Sequence, residues 1–289
     1  SAPGSTADTS PWAEPFRTIL IAVDESTIPQ GGEKPIRGLV SATLDRVGPA
    51  DRVALVRLPN PQGTIVLSTD RQPVGEEVAR ITGRVADRGD LNRVRAIAPE
   101  GLVVEDDRPG RTQQNPVSVG RGDGADPNAA SAEAPVPGSL AALRRLIAGL
   151  RDVAGQKTIV LVSAGVAAPA GAPADDRTEL ARVLDEASWA RTTVHVIRPG
   201  STSGADPAPL AQLAQGTGGS VFSPGRNPAS DLDRLAVQMA GVYHILVEAT
   251  DADRDNRSHA LQVAVGRAGV KVQAARRWTP RVDPLLAAA

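Results

Sequence analysis

Three predominantly apolar runs constrain this chain most: TILIAVD at residues 18–24, DRVALVRL at 51–58 and KTIVLVSAG at 157–165. A strand with one wet face alternates apolar and polar residues. These do not alternate, so they suit strands buried on both faces, as in a parallel sheet covered by helices. A further strand is read at 192–199 (TTVHVIRP) and a short one at SVFS, 220–223.

Helical periods separate them. Ile36, Leu39, Val40, Thr43, Leu44 and Val47 share one face of a helix over 34–47, which Gly48-Pro49 ends. Residues 75–85 read as a short amphipathic helix. In 139–153, Leu140, Leu143, Leu146, Ile147 and Leu150 form a stripe, and Ser139 is the expected N-cap. Residues 178–191, the segment PLAQLAQG and 231 to 239 or 243 complete the set. Only five residues, 59–63, join DRVALVRL to TIVLST at 64–69. That length allows an antiparallel hairpin and forbids a parallel crossover. The order predicts an α/β fold: a doubly wound, mostly parallel sheet with one antiparallel edge strand.

Three regions follow. Residues 1–16 read as a flexible arm, 17–242 as the α/β domain, and 243–289 as a β-meander with a tail, since YHILVEAT, SHALQVAVGR and GVKVQAARRW alternate. The pattern weakens over 86–138, with a short helix near 91–98 and a strand near 101–105. The tract 106–138, rich in Gly, Pro, Asn and Asp, is an insertion that is either mobile or pinned by a partner.

Composition narrows the function. With net charge −1, pI about 6.3 and 2% aromatics, nothing global attracts nucleic acid or an anionic membrane. Without cysteine there is no disulfide, thiolate metal site or cysteine nucleophile. The uncharged stretch 158–174 is too short and too broken by Gly and Pro to span a membrane. The opening SAPGSTADTSP lacks a Met and fits either a mature N-terminus after signal cleavage or the edge of an excised piece. Arginine outnumbers lysine 29 to 3, a bias associated with GC-rich bacterial genomes.

Taken in order, RTILIAVDEST (17–27), GPADRVALVRLP (48–59), QKTIVLVSAGV (156–166), TTVHVIRP (192–199), LAQGTGGSVF (213–222) and the tail over 243–278 resemble the von Willebrand factor type A (VWFA) domain. The closest resemblance is to its bacterial "VWFA-related" family. It covers 17–278 apart from 106–138. It implies a metal-ion-dependent adhesion site built from Asp-x-Ser-x-Ser after the first strand, a Thr from a second loop and an Asp after the fourth strand. Such hard oxygens suit Mg²⁺. Asp24 and Ser26 match the first two positions. Ile28 stands at the third, Ser163-Ala164-Gly165 where the Asp is expected, and Asp87 and Asp90 are the only oxygens near the second loop's position. The expectation is a degenerate site without a cofactor, Mg²⁺ being the one ion it could admit, with Asp24 capping the turn that follows it.

Other motifs weigh less. Arg121-Gly122-Asp123 spells an adhesion tripeptide made of ordinary turn residues. Asp251–Asn256 mimics the start of a calcium loop, but Asn256 and Gln262 stand where Gly and Glu are needed, so a polar hairpin turn is expected. Gly216-Thr217-Gly218-Gly219 follows a helix and precedes a strand, the reverse of a phosphate loop, and reads as a C-cap and turn. His195, His244 and His259 fall in or beside strands.

These residues point to a non-catalytic protein–protein interaction module, periplasmic or secreted and part of a larger assembly. The alternative is an α/β hydrolase using Asp24 or Ser26, which needs His195 or a metal close by. A partner surface is expected from Trp12 and Phe16 of the arm with Arg276, Arg277 and Trp278 of the last strand.

Overall fold

The apolar runs become the middle of a parallel sheet. The structure is a computed structural model and describes residues 17–60, 65–85, 138–167, 176–200, 205–225, 228–241, 250, 253, 255, 257–270 and 272–280. The main strands are β1 (Arg17–Asp24), β2 (Arg52–Leu58), β3 (Gln156–Val162), β5 (Thr192–Ile197) and β7 (Val221–Phe222). They pair in the order β2-β1-β3-β5-β7, every pair parallel. The two-residue strands β4 (Val166–Ala167) and β6 (Ala205–Asp206) form a separate antiparallel pair.

Both faces are covered. Leu20 and Ala22 of β1 pack with α3 (Ser139–Gly149), α4 (Asp176–Ala190) and α5 (Ala208–Gly216). Ile19, Ile21 and Val23 pack with α1 (Glu33–Leu44), α2 (Gln72–Ala79) and α6 (Ala229–Ala240). Alternate residues of one strand thus enter two different cores, which is why the run cannot afford a polar member before Asp24. Each fully buried Leu, Ile or Val here contributes about 1.5–3 kcal/mol.

Arg17 anchors the start of β1. Its Nε and Nη2 reach both carboxylate oxygens of Asp51, at 2.8 and 2.6 Å, and its Nη1 donates to Met239 O at 3.0 Å. Gly48 N also donates to Asp51, so the loop before β2 is held to β1 and to the end of α6.

The sheet's growth fixes where a site can form. From β1 the chain adds β2 on one side and then returns to place β3 on the other. Connections leaving β1 and β3 diverge, and a crevice opens above their carboxyl ends.

Three sequence expectations change. The predicted antiparallel strand at 64–69 contracts to one bridge, Val53 with Ser68. Ser68 Oγ and Asp70 Oδ1 then take the N–H groups of Asp70 and Gln72, turning the chain into α2 and leaving Val66 exposed. Helix α2 accordingly starts at Gln72, before the predicted 75, with Pro73 in its first turn. Among the described residues, the meander consists of one antiparallel ladder, β8 (His259–Ala260) with β9 (Arg277–Trp278). The arm 1–16, the tract 86–137 with its helix, strand and Arg121-Gly122-Asp123, residues 243–249 with His244, and the tail 281–289 lie outside the described residues.

The hairpin is tied to the α/β body. Thr217 bridges Ala275, and Arg276 N donates to Gly216 O at 3.0 Å. Gly218 allows this approach: its φ is +79, and a Cβ there would stand 2.6 Å from Ala275 N, whereas Gly219 makes room for β5, where a Cβ would stand 2.0 Å from Val194 O. The Gly-rich segment is the turn its position implied.

Candidate functional site

Asp24 ends β1 at the crevice, 2% exposed. It follows Leu20 and Ala22 on the α3 side of the sheet, and Ser163 follows Leu161 on the same side. Asp24 Oδ1 accepts from Ser26 Oγ at 2.6 Å, from Ser26 N at 3.2 Å and from Ser139 Oγ at 2.8 Å. Ser163 Oγ lies 3.0 Å from Oδ2. Ser26 Oγ and Ser139 Oγ are 3.2 Å apart. Thr27 Oγ1 donates to Asp24 O at 3.0 Å and accepts from Ala164 N at 3.1 Å, which ties the turn after β1 to the turn after β3.

Asp24 does cap the 3-10 turn at Glu25–Thr27, as expected. Ser139 does not cap α3. Gly138 takes the N-cap position without a side-chain bond, and the Ser139 hydroxyl turns to Asp24 instead. Spacing alone could not reveal this; Ser139 occupies the role that the resemblance gave to a Thr of a second loop.

Burial raises the Asp24 carboxyl above its ordinary 3.8, and the serine hydrogen bonds only partly oppose that rise. Proton counting agrees. Ser163 Oγ faces two acceptors, Asp24 Oδ2 at 3.0 Å and Gly165 O at 2.8 Å, with one hydrogen to give. When that hydrogen goes to Gly165, a proton on Oδ2 closes the other contact.

The donor set is a poor match to Mg²⁺. It offers a single carboxyl, buried, hydrogen-bonded to Ser26, Ser139 and Ser163 and with its pKa raised above the ordinary value, whereas Mg²⁺ takes ionised carboxylates in an octahedron of oxygens. Ile28 is 2% exposed and packs in the α1 core. Asp87 and Asp90 lie outside the described residues. Among the described residues, no three His, Cys, Asp or Glu gather as a metal group.

Glu25, next in sequence, is also buried but faces away. It takes Thr82 N at 3.0 Å, Arg84 Nε at 3.2 Å and Arg57 Nη1 at 3.5 Å, pinning the segment after α2. His195 is not brought to Ser26. It is in register with Ile21 through Val160, about 10 Å below the level of Asp24 and about 10 Å across the sheet. Its ring belongs to the opposite face, accepts from Ser220 N at 3.2 Å and is pushed by burial to about 4. The hydrolase alternative finds no base there.

An Asp-x-Ser at the end of the first strand and helices on both sheet faces agree with what the sequence resemblance implied; the hydroxyls of Ser139 and Ser163 are additional to it. The fold is α/β, a five-stranded parallel sheet covered on both faces. No family model matches the chain, and no curated protein does. Solved structures similar to it include the TFIIH p34 N-terminal domain, at 14% identity and TM-score 0.37 over 77% of this chain and 97% of that one. The SpRpn10 VWA domain is similar at 14% identity and TM-score 0.38, over 79% and 99%. The human COPII-coat protein Sec24c is similar at 12% identity and TM-score 0.38, over 77% of this chain and 32% of that one. Likenesses of this size assign neither a ligand nor a partner.

The expected partner residues are distributed unevenly. Trp12 and Phe16 lie outside the described residues. Arg277 is held by Asp185 of α4, and half-buried Trp278 has its ring 6.1 Å from that of His259. Arg276 is exposed. The calcium-like segment spends its carboxylates locally: Asp253 accepts from Thr250 N and Oγ1, and Asp255 from Arg257 N. These hydrogen bonds hold both carboxyls below their ordinary value.

Among the described residues, no helix is long and apolar enough to cross a membrane.

Proposed function

We propose that this chain is a non-catalytic protein–protein interaction module of the VWFA type whose adhesion site is degenerate. The observation that carries the reading is the Asp24 cluster. It stands where the family resemblance implies a metal-bridged partner, yet its one carboxylate is buried and bonded by Ser26, Ser139 and Ser163. A partner is then engaged through side chains and backbone around the crevice, without a bridging ion. The arginine-rich composition and the family resemblance support a bacterial accessory subunit outside the cytoplasm, within a larger assembly.

The test is cross-linking mass spectrometry on the chain in its native assembly, with and without a chelator. Cross-links from the β1 and β3 turns to another protein, unchanged by the chelator, are expected. Chelator-sensitive cross-links would restore a metal-dependent site. Hydrolysis of a model ester, abolished by Ser26→Ala, would instead establish the enzyme.

A further inference from the structure

A second polar recess lies on the α4 side, between that helix and the β8–β9 hairpin. Its volume is about 620 Å³, and Asp185, Trp189, Arg257, Ser258, Arg276 and Arg277 line it. Three arginines and one aspartate therefore line the same space. Asp185 is engaged by Arg277. Asp255, just outside, is 2.9 Å from His259 Nε2 and only at the 4.0 Å limit from Arg257. Arg276 makes no ion pair among the described residues, and its side chain is exposed. The carboxyl end of α4 favours one nearby cation through its dipole, but it does not account for three.

Among the described residues, Ser258 Oγ is buried without a hydrogen-bond partner, so the segment that borders the recess is not fully satisfied from within the chain. Trp189 supplies an apolar wall, steadied by Arg151, whose guanidinium lies 5.7 Å from its ring centre. Exposed arginines beside an aromatic wall fit carboxylates flanking an apolar side chain.

We propose that this cleft docks an acidic peptide segment of a partner protein, carboxylates on Arg257 and Arg276 and an apolar residue against Trp189. The net charge of −1 and 2% aromatic content argue against a nucleic-acid strand as the occupant. The peptide class rests on the protein-binding reading above, whereas the location is independent of Asp24.

Fluorescence anisotropy with a labelled Glu-rich decapeptide carrying one Phe tests this on the full chain at about 50 mM salt. Saturable binding is expected, weakened roughly tenfold or more in the Arg257→Ala/Arg276→Ala double variant. Both side chains are exposed, and an unchanged melting temperature shows that the variant is folded. The same peptide with Gln for Glu should not bind, and Asp24→Asn, with an unchanged melting temperature, should bind like the parent chain. Asp24→Asn thus separates this proposal from the crevice reading. Absent binding, equal binding of the Gln peptide or an unaffected double variant overturns it. So does displacement of the peptide by inorganic phosphate or single-stranded DNA at lower concentration than by unlabelled peptide, which would mark a general anion site.

Discussion

Ser139 Oγ donates to Asp24 Oδ1 across 2.8 Å, although 115 residues separate the two in the chain. The bond fastens the first turn of α3 to the end of β1. Ser163 closes the other side, so three hydroxyls from three segments meet on one buried carboxyl.

Replacing Asp24 separates its two roles. Asp24→Ala leaves the Ser26 and Ser139 hydroxyls and the Ser26 N–H without the carboxyl acceptor, while Ser163 keeps Gly165 O. It should cost about 2–4 kcal/mol of folding free energy in urea unfolding at neutral pH. Asp24→Asn keeps an acceptor toward Ser26 and Ser139 and a donor toward Ser163, and should cost less than about 1 kcal/mol. An Asn variant as damaged as Ala would mean that the ionised carboxylate is the required form.

Two buried groups give opposite pH trends. Asp24 holds its proton more tightly folded than unfolded, so its contribution is full below pH 3.8 and is lost as pH rises through its raised folded value. His195 falls from 6.5 to about 4, so its contribution is present above pH 6.5 and is lost as pH falls through about 4. Its size is about 3 kcal/mol. Unfolding free energy of Asp24→Asn should rise steadily from pH 4 to 6.5. His195→Asn should instead lose stability as pH rises above 3.8. Parallel pH profiles in the two variants would refute the assignment.

Divalent cations should leave the protein unmoved. Isothermal titration with Mg²⁺ or Mn²⁺ should give no saturable heat, and the melting temperature should not shift, because only an ion that binds the folded chain stabilises it, by RT ln(1 + [L]/Kd). Micromolar binding that disappears in Asp24→Ala would falsify the degenerate site.

The Arg17–Asp51 pair should matter for stability alone. Asp51 is 4% exposed and also takes Gly48 N, so Asp51→Ala leaves a guanidinium and an N–H unmatched. A loss of about 2–4 kcal/mol is expected. Peptide binding at the Arg257–Arg276 cleft should not change in this variant.

The sheet was legible because burial on both faces leaves a local mark. Runs such as TILIAVD need no knowledge of the rest of the chain to declare a covered parallel strand. The stripe of Leu140, Leu143, Leu146 and Ile147 declares its helix in the same way. Asp24 and Ser26 were legible too, being two residues apart at a strand's carboxyl end. Ser139 was not, because its sequence context is that of a helix start, and a start can be capped from either side. Its true partner depends on where the sheet turns back between β1 and β3. The segment 64–69 misled for the converse reason. Its composition suits a strand, but Ser68 and Asp70 bond the backbone locally and end the pairing after one bridge. The sequence alone determined which residues are buried in layers, since hydrophobic period is a local property. The tertiary structure alone decided which hydroxyls surround Asp24 and which arginines share a cleft, since such contacts join residues that only the folded chain brings within hydrogen-bond reach.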